Sequence, residues 1–368
     1  VTQPDPLLPP PTEVRRITAL MLGEIGDLIV TTPTLAALRR AYPDAHLQVI
    51  LRRPLAKLLA ADPAIDELLL YDASSRWTQL KFLAMLARRR HDLWVDLHTP
   101  TYNTVCGNDE VFRRNRLFMR AAHPHFRRAF AMPEYRGRLS HPVAVPGEDV
   151  LRNENIVDLT LRLAGAGPHE RSKRLHIAAA DTEWARGEIE RQGLAGQRCI
   201  GLFFGAKQSA KVWPARHTLE FCRALPARLP GFTFLLLVGP QEREDVAALV
   251  SRFDPATAAR FRVFTTGGLG GHAALMRHCE AMVSTDSGPM HMADALGVPI
   301  VALFSAFNHL PIWLPLNAVA VLHTAGLPCS PCLSSECHNG QACMLGITPA
   351  QVLDRLDQAL GAARNRAA

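Results

Sequence analysis

Residues Ala281 to Phe304 read AMVSTDSGPMHMADALGVPIVALF. The apolar run 281–284 breaks at Thr285-Asp286-Ser287. Gly288-Pro289 follows, a helical pattern covers 290–296, and Gly297 precedes a second apolar run at 300–304. Pro in the first turn costs a helix no hydrogen bond, and Gly just past the end takes the left-handed turn that stops it. The segment therefore predicts strand, loop, helix, strand. Strands joined by a helix lie parallel, and parallel sheets are covered on both faces. That is why these runs are apolar throughout rather than alternating.

The rhythm extends outward. Upstream it predicts strands at 199–204, 232–238 and 261–264, with helices at 215–228, 246–252 and 272–278. The first half repeats it, with strands at 16–22, 47–51, 68–71 and 93–97 and helices at 28–40, 55–61 and 80–89. Residues 100–146 are less regular and are expected to be insertions carrying binding loops. Residues 165–197 have little strand character and read as the linker. The expected fold is α/β, two Rossmann-like doubly wound domains with the active site in the cleft between them. The boundaries expected are a disordered Pro-rich leader over 1–12, domains over 13–180 and 181–346, and a C-terminal helix over 347–368.

Size and composition agree. A chain of 368 residues is long for one domain and sufficient for two cores. Hydrophobic residues at 48% and charged residues at 20% fit a folded globular protein. No apolar run approaches the roughly 20 residues of a membrane span, and the N-terminus has no apolar signal core. A cytoplasmic location is expected.

The net charge of +7 is unevenly placed, with eight arginines between Arg113 and Arg138 against one acid, Glu134. Such a run is either a solvated surface or a patch for an anionic partner, whether a phosphorylated glycan or bilayer headgroups. The second case would put the protein peripherally on the inner face of the cytoplasmic membrane. Phe118, Phe126 and Phe130 lie within the run, but no nucleic-acid-binding motif surrounds them, and no nucleic-acid partner is expected.

Ligands of open parallel sheets gather at the carboxyl ends of strands, so three loops are singled out. Leu22-Gly23-Glu24-Ile25-Gly26-Asp27 follows the first strand. Its glycines do not make a dinucleotide fingerprint, and Asp27 is either a helix cap or a functional acid. Ser284 to His291 places short polar residues and Gly288 at a helix start, a natural diphosphate site. Asp286 would repel phosphate there, so it tethers hydroxyls or caps the turn. Gly205 to Pro214 offers Lys207 and Lys211 as counter-charges for a leaving diphosphate.

Four cysteines cluster late, Cys329, Cys332, Cys337 and Cys343, with His338 beside them. Their spacing suits a structural zinc or iron ion; the other reading is a set of reduced thiols in a loop. Cys106, Cys199, Cys222 and Cys279 read as core residues.

The loops carry a resemblance. LGEIGDLIVTTPTLAALRR (Leu22 to Arg40), AKVWP (Ala210 to Pro214) and STDSGPMHMADALGVPIVALF (Ser284 to Phe304) resemble the motifs of glycosyltransferase family 9, the ADP-heptose:lipopolysaccharide heptosyltransferases. The CSPC segment and the ITPAQVL helix are similar to the ends of many members, so the matches span nearly the whole chain in order. The resemblance implies a GT-B fold and inverting transfer of heptose from an ADP-heptose donor to an anionic lipopolysaccharide core acceptor. It makes Asp27 the general base and Lys211 the diphosphate contact. Asp286, Ser287, Gly288 and His291 bind donor sugar and phosphates, and Glu242 meets the ribose, in a register open against Glu244. Gly26 and Lys207 join the expected donor contacts. Ser287 stands where the family often has Thr, and keeps the hydroxyl. No cofactor is required for catalysis, since no D-x-D motif stands at a strand end. The alternatives are a member using another nucleotide sugar or a protein or other glycan acceptor, or a non-catalytic nucleotide-sugar-binding protein.

Overall fold

The computed structural model describes residues 7–100, 110–334 and 336–367, so Cys106 lies outside the described residues. The chain divides into two compact units, Val1–His176 and Ile177–Ala368.

The first unit runs β1 (Arg16–Leu20), α1 (Ile25–Val30), α2 (Thr32–Ala41), β2 (His46–Arg52), α3 (Ala56–Leu59), β3 (Glu67–Tyr71), α4 (Arg76–Ala87) and β4 (Leu93–Asp96). It continues with α5 (Glu110–Ala122), β5 (Phe126–Phe130), β6 (His141–Val143), α6 (Glu148–Asn153) and α7 (Ile156–Leu161). Its six strands are parallel in the order β3-β2-β1-β4-β5-β6. Three expectations change. The single helix over 28–40 is two, because Pro33 has no N–H to donate and instead opens the first turn of α2. The described part of the 100–146 stretch extends the sheet by β5 and β6. Of the leader, residues 7–12 are laid on the domain rather than disordered: Pro9 is buried, and the Tyr42 hydroxyl donates to its carbonyl at 2.8 Å.

β5 escaped the sequence reading because it reads Phe-Arg-Arg-Ala-Phe. Arg128 is nevertheless fully buried. Its guanidinium donates to the carbonyls of Leu163 (2.6 Å) and Arg162 (3.0 Å), just beyond the end of α7. A cation at a helix carboxyl end meets unpaired carbonyls and the negative end of the dipole, which offsets its desolvation.

The second unit runs α8 (Ala179–Arg191), β7 (Arg198–Phe203), α9 (Ala215–Arg228), β8 (Phe232–Leu237), α10 (Arg243–Val250), α11 (Pro255–Ala258), β9 (Phe261–Phe264) and α12 (Gly268–Met276). It ends with β10 (Cys279–Thr285), α13 (Gly288–Ala295), β11 (Ile300–Phe304), β12 (Ala318–His323), α14 (Ala342–Leu345) and α15 (Pro349–Ala367). Its parallel sheet has the order β12-β11-β10-β7-β8-β9. The opening segment is β10-α13-β11, as its pattern predicts. The stretch read as linker contains a helix, α8. The final helix is part of this unit's core: Val352, Leu356 and Ala359 are fully buried beside Phe221 and Leu225 of α9. Among the described residues, no helix is long and apolar enough to cross a membrane.

Candidate functional site

In the first unit the chemistry gathers where β1, β2 and β4 end. Asp27 is the third residue of α1, and its carboxylate accepts the Glu24 N–H at 2.7 Å while Glu24 caps in return. The capping role is therefore real, and it fixes the acid in one rotamer at the positive end of the helix. Gly23 makes this possible: a methyl group there would stand 2.5 Å from the Asp27 Cβ. Gly26 lies in the first turn of the same helix, one residue before Asp27. The loop is tied on both flanks. From β2, Arg52 Nε donates to the Gly23 carbonyl at 3.0 Å and its guanidinium pairs with Glu24. From beyond β4, His98 Nε2 lies 3.4 Å from the Leu22 N–H.

Behind His98 is a buried carboxylate that the sequence reading missed. Asp96, at the last position of β4, accepts from His98 Nδ1 (2.8 Å), Asn115 Nδ2 (3.0 Å) and the Tyr135 hydroxyl. Burial alone would push its pKa up. The His98 ring and the Tyr135 and His98 hydrogen bonds outweigh that and hold it below the ordinary carboxylate range. Burial and the same carboxylate push the Tyr135 phenol far above its usual value. An ionised, fully satisfied Asp96 thus orients the ring that touches the Asp27 loop. The available signal was positional: Arg52 and His98 both stand where strands end.

In the second unit Trp213 anchors the Gly205–Pro214 loop. It is buried, donates Nε1–H to the Ile347 carbonyl at 3.0 Å, and packs on Phe204 and Phe221. The anchor delivers Lys211, whose Nζ pairs with Asp286 Oδ2 at 2.8 Å and lies 4.7 Å from the centre of the Phe307 ring. Both side chains are nearly enclosed, 11% and 5% exposed. The pair answers the puzzle of an acid in a diphosphate loop: Asp286 holds the lysine. Next to it α13 begins at Gly288, and Ser287 makes no side-chain cap to its first turn. His291 is buried one turn on, its ring 5.9 Å from that of Trp313. Lys207 is exposed on the same loop.

A cavity of about 340 Å³ opens at the carboxyl ends of β7 and β8, lined by Phe204, Gly205, Trp213, Leu236, Glu242 and Leu249 among others. Glu242 sits over both strand ends, because Gly205 and Gly239 leave room: a methyl group at either would meet its side chain at 2.4 Å. Burial raises the Glu242 pKa above the ordinary range. Glu244 is exposed and does not line the cavity.

The cysteine cluster is not assembled as a metal site. Among the described residues no group of three or more His, Cys, Asp or Glu side chains is placed to hold one. Cys343 is buried in the core of the unit, and burial raises its thiol pKa. Cys337 Sγ instead accepts the N–H groups of Gln341 (3.1 Å) and Asn339 (3.4 Å), and Cys329 Sγ accepts from Asn339 Nδ2. All four thiols are free. Cys199, Cys222 and Cys279 are buried, as expected of core residues.

Two parallel doubly wound domains in one chain are the architecture of the glycosyltransferases of GT-B fold, and solved enzymes of that class share it over nearly the whole chain. The glycosyl transferase family 9 structure from Veillonella parvula superposes with a TM-score of 0.77 at 24% identity, covering 94% of this chain and 97% of that one. E. coli ADP-heptose LPS heptosyltransferase II gives a TM-score of 0.72 at 21% identity, covering 94% and 98%. In sequence, the Escherichia coli lipopolysaccharide heptosyltransferase 3 is 25% identical over 316 residues, 82% of this chain and 86% of that one. The profile of glycosyltransferase family 9 (heptosyltransferase) matches residues 119–343, more than half of the chain. The chain belongs to that family.

Proposed function

We propose that this enzyme transfers heptose from ADP-heptose to an anionic lipopolysaccharide core acceptor, with inversion, at the inner face of the cytoplasmic membrane. The observation that carries the reading is what the strand-end loops of the second unit hold. An apolar cavity with the Glu242 carboxylate in its wall is suited to a nucleoside. The Lys211–Asp286 pair, on the loops before α9 and α13, is suited to a diphosphate. The E. coli enzyme named above is an ADP-heptose heptosyltransferase, which supports the same donor. Asp27 accepts the proton of the acceptor hydroxyl as its oxygen bonds to the anomeric carbon. The bond from that carbon to the diphosphate oxygen breaks, and ADP leaves with the electron pair. Lys211, Ser287 and the backbone at Gly288 stabilise the charge on the leaving diphosphate. His98, oriented by Asp96, is a positioning residue for the Asp27 loop. The cysteine loop has no part in this reading.

The test is a panel of nucleotide sugars with purified enzyme and truncated core glycans. ADP-heptose is expected to release ADP only when acceptor is present, with UDP- and GDP-sugars inert. A higher kcat/KM for another nucleotide sugar would overturn the donor assignment.

Glu242 provides a narrower check. Glu242→Gln removes a charge-assisted acceptor for ribose hydroxyls and is expected to weaken ADP binding about tenfold in calorimetry. The carboxylate accepts well only when ionised, and its pKa is raised. Wild-type affinity should therefore fall on acidification sooner than an exposed glutamate would allow, and the Gln variant should lose that dependence.

A further inference from the structure

Helices α4 and α5 pack against each other on the first sheet, Phe82 and Phe118 meeting at 5.5 Å beneath them and Tyr71 completing the trio. Their outer faces are unusual. Trp77 and Leu80 of α4 are 66% and 56% exposed, and Leu117 of α5 is 50% exposed. Among the described residues these are three of only five large hydrophobics left exposed, and they lie on two touching helices. Single exposed leucines are ordinary; a tryptophan and two leucines exposed on two helices packed against each other are not.

The charge around them has one sign. The two helices carry Arg76, Lys81, Arg113, Arg114, Arg116 and Arg120 against a single acid, Glu110. Lys81 lies over the Trp77 ring, 5.5 Å from its centre. At the carboxyl end of α5 a hollow of about 200 Å³ is lined by Arg116, Arg120, Arg127 and Arg138 together with His123. None of these four arginines pairs with a carboxylate among the described residues, whereas Arg39, Arg52, Arg89, Arg171 and Arg198 all do. Self-repelling cations held together without acids are stabilised by an anion from outside.

An aromatic and two aliphatic side chains flanked by guanidinium groups match the layering of a bilayer surface, apolar below and phosphate above. We infer that the α4–α5 face docks on an anionic phospholipid bilayer. Trp77, Leu80 and Leu117 enter the headgroup boundary, and the arginine hollow takes headgroup phosphates. α4 begins just beyond the carboxyl end of β3, the end of the sheet that also carries the Asp27 loop. Trp77 and Leu80, in the first turns of α4, bring that end to the surface and with it the loop to a lipid-borne acceptor. The arginine hollow, at the other end of α5 where β5 begins, is a second point of attachment. The inference rests on the proposed function only for this purpose, since bilayer binding needs neither donor nor acceptor.

The experiment is co-sedimentation of the full chain with vesicles of phosphatidylethanolamine and phosphatidylglycerol, against vesicles of phosphatidylcholine alone. Binding to the anionic vesicles is expected to exceed binding to the neutral ones by about tenfold or more, and to weaken at high salt. R120E/R127E/R138E should lose about a hundredfold or more, at roughly fivefold for each of the three cations removed. W77S/L80S/L117S should lose about tenfold or more through lost apolar burial, with ADP binding unchanged in both as the check on folding. Equal partition of wild type between the two vesicle types overturns the inference, as does undiminished binding by both variants. So does phosphate that binds the hollow from solution while vesicles do not bind. A wild-type dimer in sedimentation velocity that W77S/L80S/L117S splits, without any vesicle effect, would assign the face to a second copy instead. Turnover of a delipidated soluble acceptor separates the two readings: its absence in wild type would defeat the proposed acceptor and leave docking standing, and its retention by the docking variants is expected if they have lost only the membrane contact.

Discussion

Asp27→Asn is expected to lower kcat by about 10²–10⁴-fold with ADP affinity nearly unchanged, the loss that removal of a positioned general base brings. The substitution is chosen because Asp27 has two roles. Its carboxylate closes the capping box of α1 by accepting the Glu24 N–H. Asparagine keeps an oxygen at that point and so keeps the cap, losing only the charge at the helix start, a few tenths of a kcal/mol up to about 1. It cannot take a proton from an acceptor hydroxyl. Asp27→Ala would lose both roles and confuse them. A folded Asn variant that turns over at the wild-type rate would leave Asp27 as a cap and nothing more. Thermal unfolding run beside single-turnover transfer separates the outcomes.

What could be read from the sequence, and what could not, follows the physics of burial. β8 and β11 are buried along their whole length, so their apolar runs announced them. β5 contains two arginines and lacks the apolar run of a strand covered on both faces. β12, an edge strand half-buried at most positions, does carry such a run in Ala318 to Leu322 and was legible although it was not read as a strand. The loops at Gly23, Gly205 and Ser284 were readable because each lies between a legible strand and a legible helix. Asp96 and His98 were not. Their role exists only because β4 lies beside β1, with Asp96 opposite Leu20, and no local pattern carries that pairing. The cysteines fail for the opposite reason. Spacing along a chain suggests ligands, but Cys343 belongs to a buried helix turn whose thiol is in the core.

Lys211→Ala should show the second large effect, and its interpretation depends on Asp286. The two groups are paired at 2.8 Å in a nearly enclosed site, so removing the lysine leaves a buried carboxylate without its partner. Breaking such a pair costs about 3–5 kcal/mol of stability. It would also place an unopposed negative charge where the diphosphate leaves, so ADP affinity and transfer rate should both fall by two orders of magnitude or more. Stability alone could explain a dead enzyme, and the paired substitution decides. Lys211→Met with Asp286→Asn removes both charges while keeping most of the volume, and should recover much of the lost stability, as replacement of buried ion pairs often does. ADP affinity should not recover, because the cation facing the leaving oxygen is still gone. If the double variant regains both stability and ADP affinity, Lys211 serves only to neutralise Asp286. The leaving-group charge would then rest on Ser287 and the first turn of α13, where backbone N–H groups alone must hold it.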